Sequence, residues 1–262
     1  MQADSIAVLL TILASLAFTV NAFLIRKATV IGEPLDAVIV TVGVSALIFL
    51  PLSIILHYPR FGLTAKSLFA FAGTGLLGTF AGRICYFSGI RRVGASRTVP
   101  ISRSDLLVAS LIALLILGES ITMGHLAGIF ILSVGVILVG YEIETGSTKS
   151  GGGISTGLLF PLGAMFLLGL SRPIAKVGLS GGTPVTVGLA IKFSVALVPL
   201  VGFFLWSKSS PFHPFKTEQR FFYIAAAFAS SIGFGLLYSA LDISRIVVVM
   251  PFFALTPLFV LL

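Results

Sequence analysis

Apolar runs long enough to cross the hydrocarbon core of a bilayer follow one another through almost the whole chain. A spanning helix needs about 20 such residues. Nine stretches qualify: roughly Ser5–Ile25, Leu35–Leu56, Leu68–Ile90, Thr98–Leu117, Thr122–Tyr141, Ile154–Ser171, Pro184–Trp206, Phe221–Ala240 and Ile246–Leu262. This pattern predicts an all-α polytopic membrane protein. Composition agrees, at 57% hydrophobic and 10% charged residues. A soluble domain carries roughly 25% charged residues, because its surface faces water. The first stretch follows Met1-Gln2-Ala3-Asp4, which has no Lys or Arg. Signal peptides begin basic, so this stretch reads as a true span.

The connections are short and rich in breakers, such as Gly32-Glu33-Pro34 and Gly181-Gly182-Thr183-Pro184. The longest polar, glycine-rich joint covers residues 144–153 and separates residues 1–143 from 154–262. The two halves resemble each other. Lys27 and Lys176 are 149 apart, Pro34 and Pro184 150, Tyr86 and Tyr238 152, and Pro100 and Pro251 151. A near-constant offset marks an internal repeat. Five spans per repeat is an odd number, so the second copy enters the membrane inverted. The expected architecture is a ten-helix, 5+5 inverted repeat with nine spans present. Applying the offset to Tyr141 places the end of the second half about 30 residues past Leu262. Inverted repeats that rock around a midplane site are a transporter design.

Several stretches carry a family resemblance. They are Asn21-Ala22-Phe23-Leu24-Ile25-Arg26-Lys27, Gly82-Arg83-Ile84-Cys85-Tyr86-Phe87-Ser88-Gly89-Ile90, Leu117-Gly118-Glu119, Gly135-Val136-Ile137-Leu138-Val139-Gly140 and Gly235-Leu236-Leu237-Tyr238-Ser239-Ala240-Leu241-Asp242. The chain resembles EamA-type members of the drug/metabolite transporter superfamily along essentially its whole length. The resemblance implies a ten-span exporter or exchanger of amino acids, metabolites, nucleotide sugars or related solutes, set in the cell membrane and working by alternating access. The chain departs from that pattern in lacking a tenth span. It departs again at Ser102-Arg103-Ser104-Asp105, where the family is apolar and small.

The formal net charge is +8. The basic residues sit mainly between apolar runs, where they anchor helix ends at lipid headgroups. No nucleic-acid partner is expected. On the N-terminal side lie Arg60, Lys66, Arg172, Lys176 and Arg245. On the opposite side lie Arg26, Lys27, Arg91, Arg92, Arg97, Lys149, Lys208, Lys216 and Arg220. By the positive-inside rule this places the N-terminus outside, whereas the family resemblance implies a cytoplasmic one. The single cysteine, Cys85, excludes an internal disulfide and a Cys-rich metal site. No cofactor or metal is expected.

Ionisable groups inside spans are costly, at about 2.5–3.5 kcal/mol for a central Arg or Lys, and persist where they face a cavity, a partner or a substrate. Four stand out: Arg83, Arg103, Asp105 and Lys192. Three cations against one acid point to an anionic group on the substrate, a carboxylate or phosphate. The expected substrate-binding set is Arg83, Tyr86, Arg103 and Lys192, with Asn21 and Ser102 as secondary polar contacts. Tyr86 shares a helix face with Arg83. Asp105 serves either as an ion-pair partner or as a proton carrier. The arrangement favoured by the sequence pairs Arg83 with Asp105 and leaves Arg103 free. Gly78-xxx-Gly82 and Gly124-xxx-Gly128 suit close helix contacts.

Rival classes fit less well. An embedded enzyme needs a catalytic cluster, but His57, His125 and His213 lie in separate connections without an HExxH motif. A channel lacks a reason for an inverted repeat. The expected partners are a small-molecule substrate, the lipid bilayer and, if Asp105 titrates, protons. The expected assembly is a monomer or weak homodimer.

Overall fold

Seven helices long and apolar enough to cross a membrane dominate the structure: α1 (Gln2–Thr29), α2 (Pro34–His57), α3 (Ala65–Val93), α4 (Ala95–Leu117), α5 (Leu159–Leu179), α6 (Val185–Trp206) and α7 (Arg220–Ile243). A shorter α8 (Ile246–Phe253) follows. This computed structural model describes residues 2–118, 156–206, 210 and 212–256, with residues 124, 127, 128, 131, 135 and 259. Among the described residues there is no strand. The chain is a multi-pass integral membrane protein. Of the nine expected spans, the one at Thr122–Tyr141 and the end of Ile246–Leu262 lie outside the described residues, as does the 144–153 joint.

Burial is inverted relative to a soluble protein. Leu47, Ile55, Phe69 and Val198 are exposed, whereas Arg83, Arg103, Asp105, Arg172 and Lys192 are buried. The apolar residues face lipid and the ionisable ones face the bundle interior. α7 packs along α1, and α6 along α2.

The sixth span differs from expectation. It was placed at Ile154–Ser171, but the helix runs Leu159–Leu179. Pro173 sits inside it without ending it, as membrane helices allow when neighbours satisfy the freed carbonyl. Arg172 and Lys176 are therefore helical residues rather than loop residues, and Arg172 is buried.

Glycines set the close helix contacts that matter here. A Cβ on Gly169 of α5 would stand 2.6 Å from Val108 Cβ and 2.8 Å from the Asp105 carbonyl of α4. A Cβ on Gly75 of α3 would stand 2.5 Å from the Lys192 carbonyl of α6. Only glycine permits such approaches to a neighbouring backbone. Gly78 and Gly82 both face α5, at Ser171 and Leu168. Nothing lies within 4 Å of the Cβ direction of Gly128.

Two irregularities interrupt the long helices. Gly75–Gly82 of α3 is wound as a π-helix that ends at Arg83. Such turns are rare and recur at functional sites. α4 breaks at Ser104, between Arg103 and Asp105. Pro100 lies four residues earlier, and the Ser104 N–H donates to Ile101 O at 3.2 Å instead of continuing the α pattern. The same event recurs after Pro251, where the Leu255 N–H donates to Phe252 O at 3.2 Å. Each atom pair is displaced by 151 residues from its counterpart.

The repeat register also shows at helix ends. Arg26 Nη1 donates to the carbonyls of Ile90 and Arg91 at 3.0 and 3.1 Å, at the end of α3. Lys176 Nζ donates to the carbonyls of Leu241, Asp242 and Ser244, at the end of α7. Cations suit these orphan carbonyls and the negative end of the helix dipole. Arg26, 150 residues before Lys176, is thus its counterpart. The expected match of Lys27 with Lys176 is corrected by one residue: Lys27 instead lies 6.0 Å from the Phe222 ring.

Candidate functional site

A cavity of about 30 Å³ lies inside the bundle, lined by Phe18, Asn21, Arg83, Tyr86, Phe87, Arg103, Leu168, Arg172 and Phe234. It has room for one water molecule. Three guanidinium groups reach it from three helices.

Arg83 follows directly on the π-helical turn of α3. Its Nη1 donates to Thr41 Oγ1 of α2 at 2.9 Å. The guanidinium lies 5.0 Å from the Phe234 ring, 5.7 Å from Phe193 and 5.8 Å from Phe87. Arg103 is held differently. It sits 4.2 Å from the Phe253 ring, 5.1 Å from Phe18 and 5.9 Å from Tyr86. It makes no hydrogen bond among the described residues, and its buried Nε is without a partner. A desolvated cation–π contact is worth about 2 kcal/mol. Rings can cradle this guanidinium, but they do not satisfy its N–H donors. Tyr86 likewise buries a hydroxyl that has no partner among the described residues.

Arg172 is the third cation. Its Nη2 donates to Asp105 Oδ2 at 3.3 Å, and both side chains are buried. Asp105 Oδ1 and Arg172 Nε have no partners among the described residues, so the pair has a single hydrogen bond rather than the two of a bidentate fork. This corrects the expected pairing of Arg83 with Asp105. The cause is the length of α5, which carries Arg172 into the bundle where the sequence reading had placed a loop.

Four of the six expected binding residues, Asn21, Arg83, Tyr86 and Arg103, line the one cavity. Asn21 Nδ2 is engaged with the Ala226 carbonyl at 2.8 Å. Ser102 and Lys192 do not line it. The Ser102 hydroxyl turns toward the Pro161 carbonyl at 3.4 Å. Lys192 Nζ donates to the Tyr238 hydroxyl at 2.8 Å and lies 3.9 Å from the Phe234 ring. Lys192 therefore stands behind a ring that forms the cavity wall. The sequence reading missed Arg172, Leu168 and Phe234. The repeat offset was the available signal, because Phe18 and Leu168 are 150 apart and Arg83 and Phe234 are 151 apart. Residues at equivalent positions in the two halves thus face each other across the cavity.

No group of three or more His, Cys, Asp or Glu side chains stands close enough to hold a metal ion among the described residues. The arrangement is an aromatic-walled pocket for an anion. Arg can hold carboxylate or phosphate through two parallel N–H donors.

The pattern that defines the EamA-like transporter family matches residues 5–141 and 155–262. No curated protein matches the chain.

Proposed function

We propose the following from the fact that this chain belongs to the EamA-like transporter family, whose members are membrane transporters of the drug/metabolite superfamily. The protein is a secondary transporter of a small anionic solute in the cell membrane. It works by alternating access between two inverted repeats, residues 1–143 and 154–262. The observation that carries this reading is the central cavity: three buried cations from three helices converge there with one acid among the described residues. A cluster of that kind is unfavourable in a bilayer unless another negative charge visits it.

Two further features support it. The lining contains residue pairs separated by the repeat offset, as expected for a site on the axis that relates the halves. The breaks after Pro100 and Pro251 give each half one interrupted span, and interrupted spans supply midplane sites in repeat transporters. In this reading Arg83 and Arg103 hold the anion, Tyr86 and Asn21 orient it, and Asp105 is the fixed counter-charge of Arg172. The cavity admits only one water, so this is a closed conformation that must part for solute to enter.

The test is counterflow in proteoliposomes with labelled anionic, zwitterionic and cationic solutes, with and without a pH gradient. Flux of an anion that Arg83→Ala abolishes is the expected result. Flux confined to cationic or neutral solutes and untouched by Arg83→Ala overturns the anion reading. Dependence on the pH gradient would make Asp105 a proton carrier rather than a fixed charge.

A further inference from the structure

The buried cations are not spread evenly. They form two pairs, each arranged about one phenylalanine. Arg83 and Lys192 lie 5.0 and 3.9 Å from the Phe234 ring. Arg103 and Arg172 lie 4.2 and 5.1 Å from the Phe253 ring. Phe18 stands edge-on to both rings, at 5.0 Å from Phe234 and 5.4 Å from Phe253. The two ring centroids are therefore no more than about 10 Å apart. The cavity lies between these two positive poles, with Arg83 at one end and Arg103 and Arg172 at the other.

Charge counting then narrows the ligand. Among the residues that line the cavity, three are cationic and none is acidic. The one carboxylate in contact is Asp105, which is committed to Arg172. Two charges are left over, one at each pole: Arg83, bonded only to a neutral hydroxyl, and Arg103, with no hydrogen-bond partner among the described residues. We infer that the solute is a small organic dianion with an anionic group at each end, a short dicarboxylate being the simplest example. One group lies at the Arg83 pole and the other at Arg103. The inference rests on the anion-transport reading above and adds to it the number and spacing of the charges. A monoanion would neutralise one pole and leave the other guanidinium buried without a counter-charge, the costly half of a broken pair.

The experiment uses three probes of one shape and different charge: succinate, succinamate and succinamide. Binding to the purified protein in detergent is read from ligand-induced thermal stabilisation. Succinate is expected to bind about a hundredfold more tightly than succinamate, the scale of an unpaired buried charge. Arg103→Gln should bring succinate down to the level of succinamate. Arg103→Lys, which keeps the charge, should retain most of the preference, and this separates loss of charge from failure to fold. Equal binding of succinate and succinamate overturns the two-pole inference and leaves anion transport standing. Equal binding of succinate and propyl phosphate, whose charges share one group, overturns the spacing. Stabilisation by succinamide alone, or by none of the three, overturns both the inference and the anion reading beneath it.

Discussion

Asp105→Asn is the sharpest perturbation of the buried charge cluster. The side chain keeps its shape and an acceptor oxygen, so packing is preserved and only the negative charge is removed. Arg172 is 2% exposed and Asp105 0%, so water cannot replace the lost partner. Removing one member of a buried pair typically costs about 3–5 kcal/mol, because an uncompensated charge remains. The native pair has one hydrogen bond at 3.3 Å, and both Asp105 Oδ1 and Arg172 Nε lack partners among the described residues. That imperfect geometry sets the expectation at the lower end, about 3 kcal/mol. The assay is equilibrium unfolding in mixed micelles for wild type, Asp105→Asn, Arg172→Gln and the double variant. The double variant should recover about 2 kcal/mol of the summed single losses, since it leaves no orphan charge. Additive losses, or a single variant within about 0.5 kcal/mol of wild type, would refute the argument that these two charges sustain each other.

Other consequences can be measured in parallel. Gly169→Val should cost about 2–3 kcal/mol in the same unfolding assay, because its branched side chain meets the backbone that carries Asp105; an unchanged midpoint would contradict the close packing of α4 on α5. Phe253→Leu keeps apolar volume but removes the ring beside both Arg103 and Arg172. Its expected loss is about 2–4 kcal/mol, up to about 2 for each desolvated contact. Lys176→Met should leave global stability almost intact while speeding amide exchange in the last turn of α7, at Leu241–Ser244, whose carbonyls it caps.

The spans were legible because lipid enforces them: a buried helix of about 20 apolar residues leaves a plain mark on a sequence. Arg172 was not, because the apolar window closes at Ser171 and Arg172 looks like the start of a connection. Two signals argue for its inclusion. Leu168, Arg172, Ala175 and Leu179 are buried at spacings of a single helix face. The first span, taken to Ile25 and moved by the 150 offset, also ends near Ala175. The partners within the cluster were hidden for another reason. Asp105 and Arg172 are 67 residues apart, and Lys192 and Tyr238 are 46 apart, so side-chain rotation and helix packing decide them. Local pattern still placed Arg83, Tyr86 and Arg103 correctly within spans. The π-helical turn before Arg83 had no signature beyond its glycines.

The separation of Asp105 from Arg172 also has a meaning in time. Chains emerge from the ribosome at about 5–20 residues per second. The 67 residues between the two therefore hold them apart for roughly 3–13 s during synthesis. α4 enters the membrane carrying Arg103 and Asp105 before α5 exists to receive it. Central charges of this kind carry an insertion cost of about 2.5–3.5 kcal/mol each, and the compensating partner has not yet been made. Until α5 arrives, α4 is a half-finished contract with the insertion machinery, held at the edge of lipid rather than committed to it. The ion pair that fastens the mature bundle thus also fixes an order of assembly, in which the first half cannot settle before the second half begins.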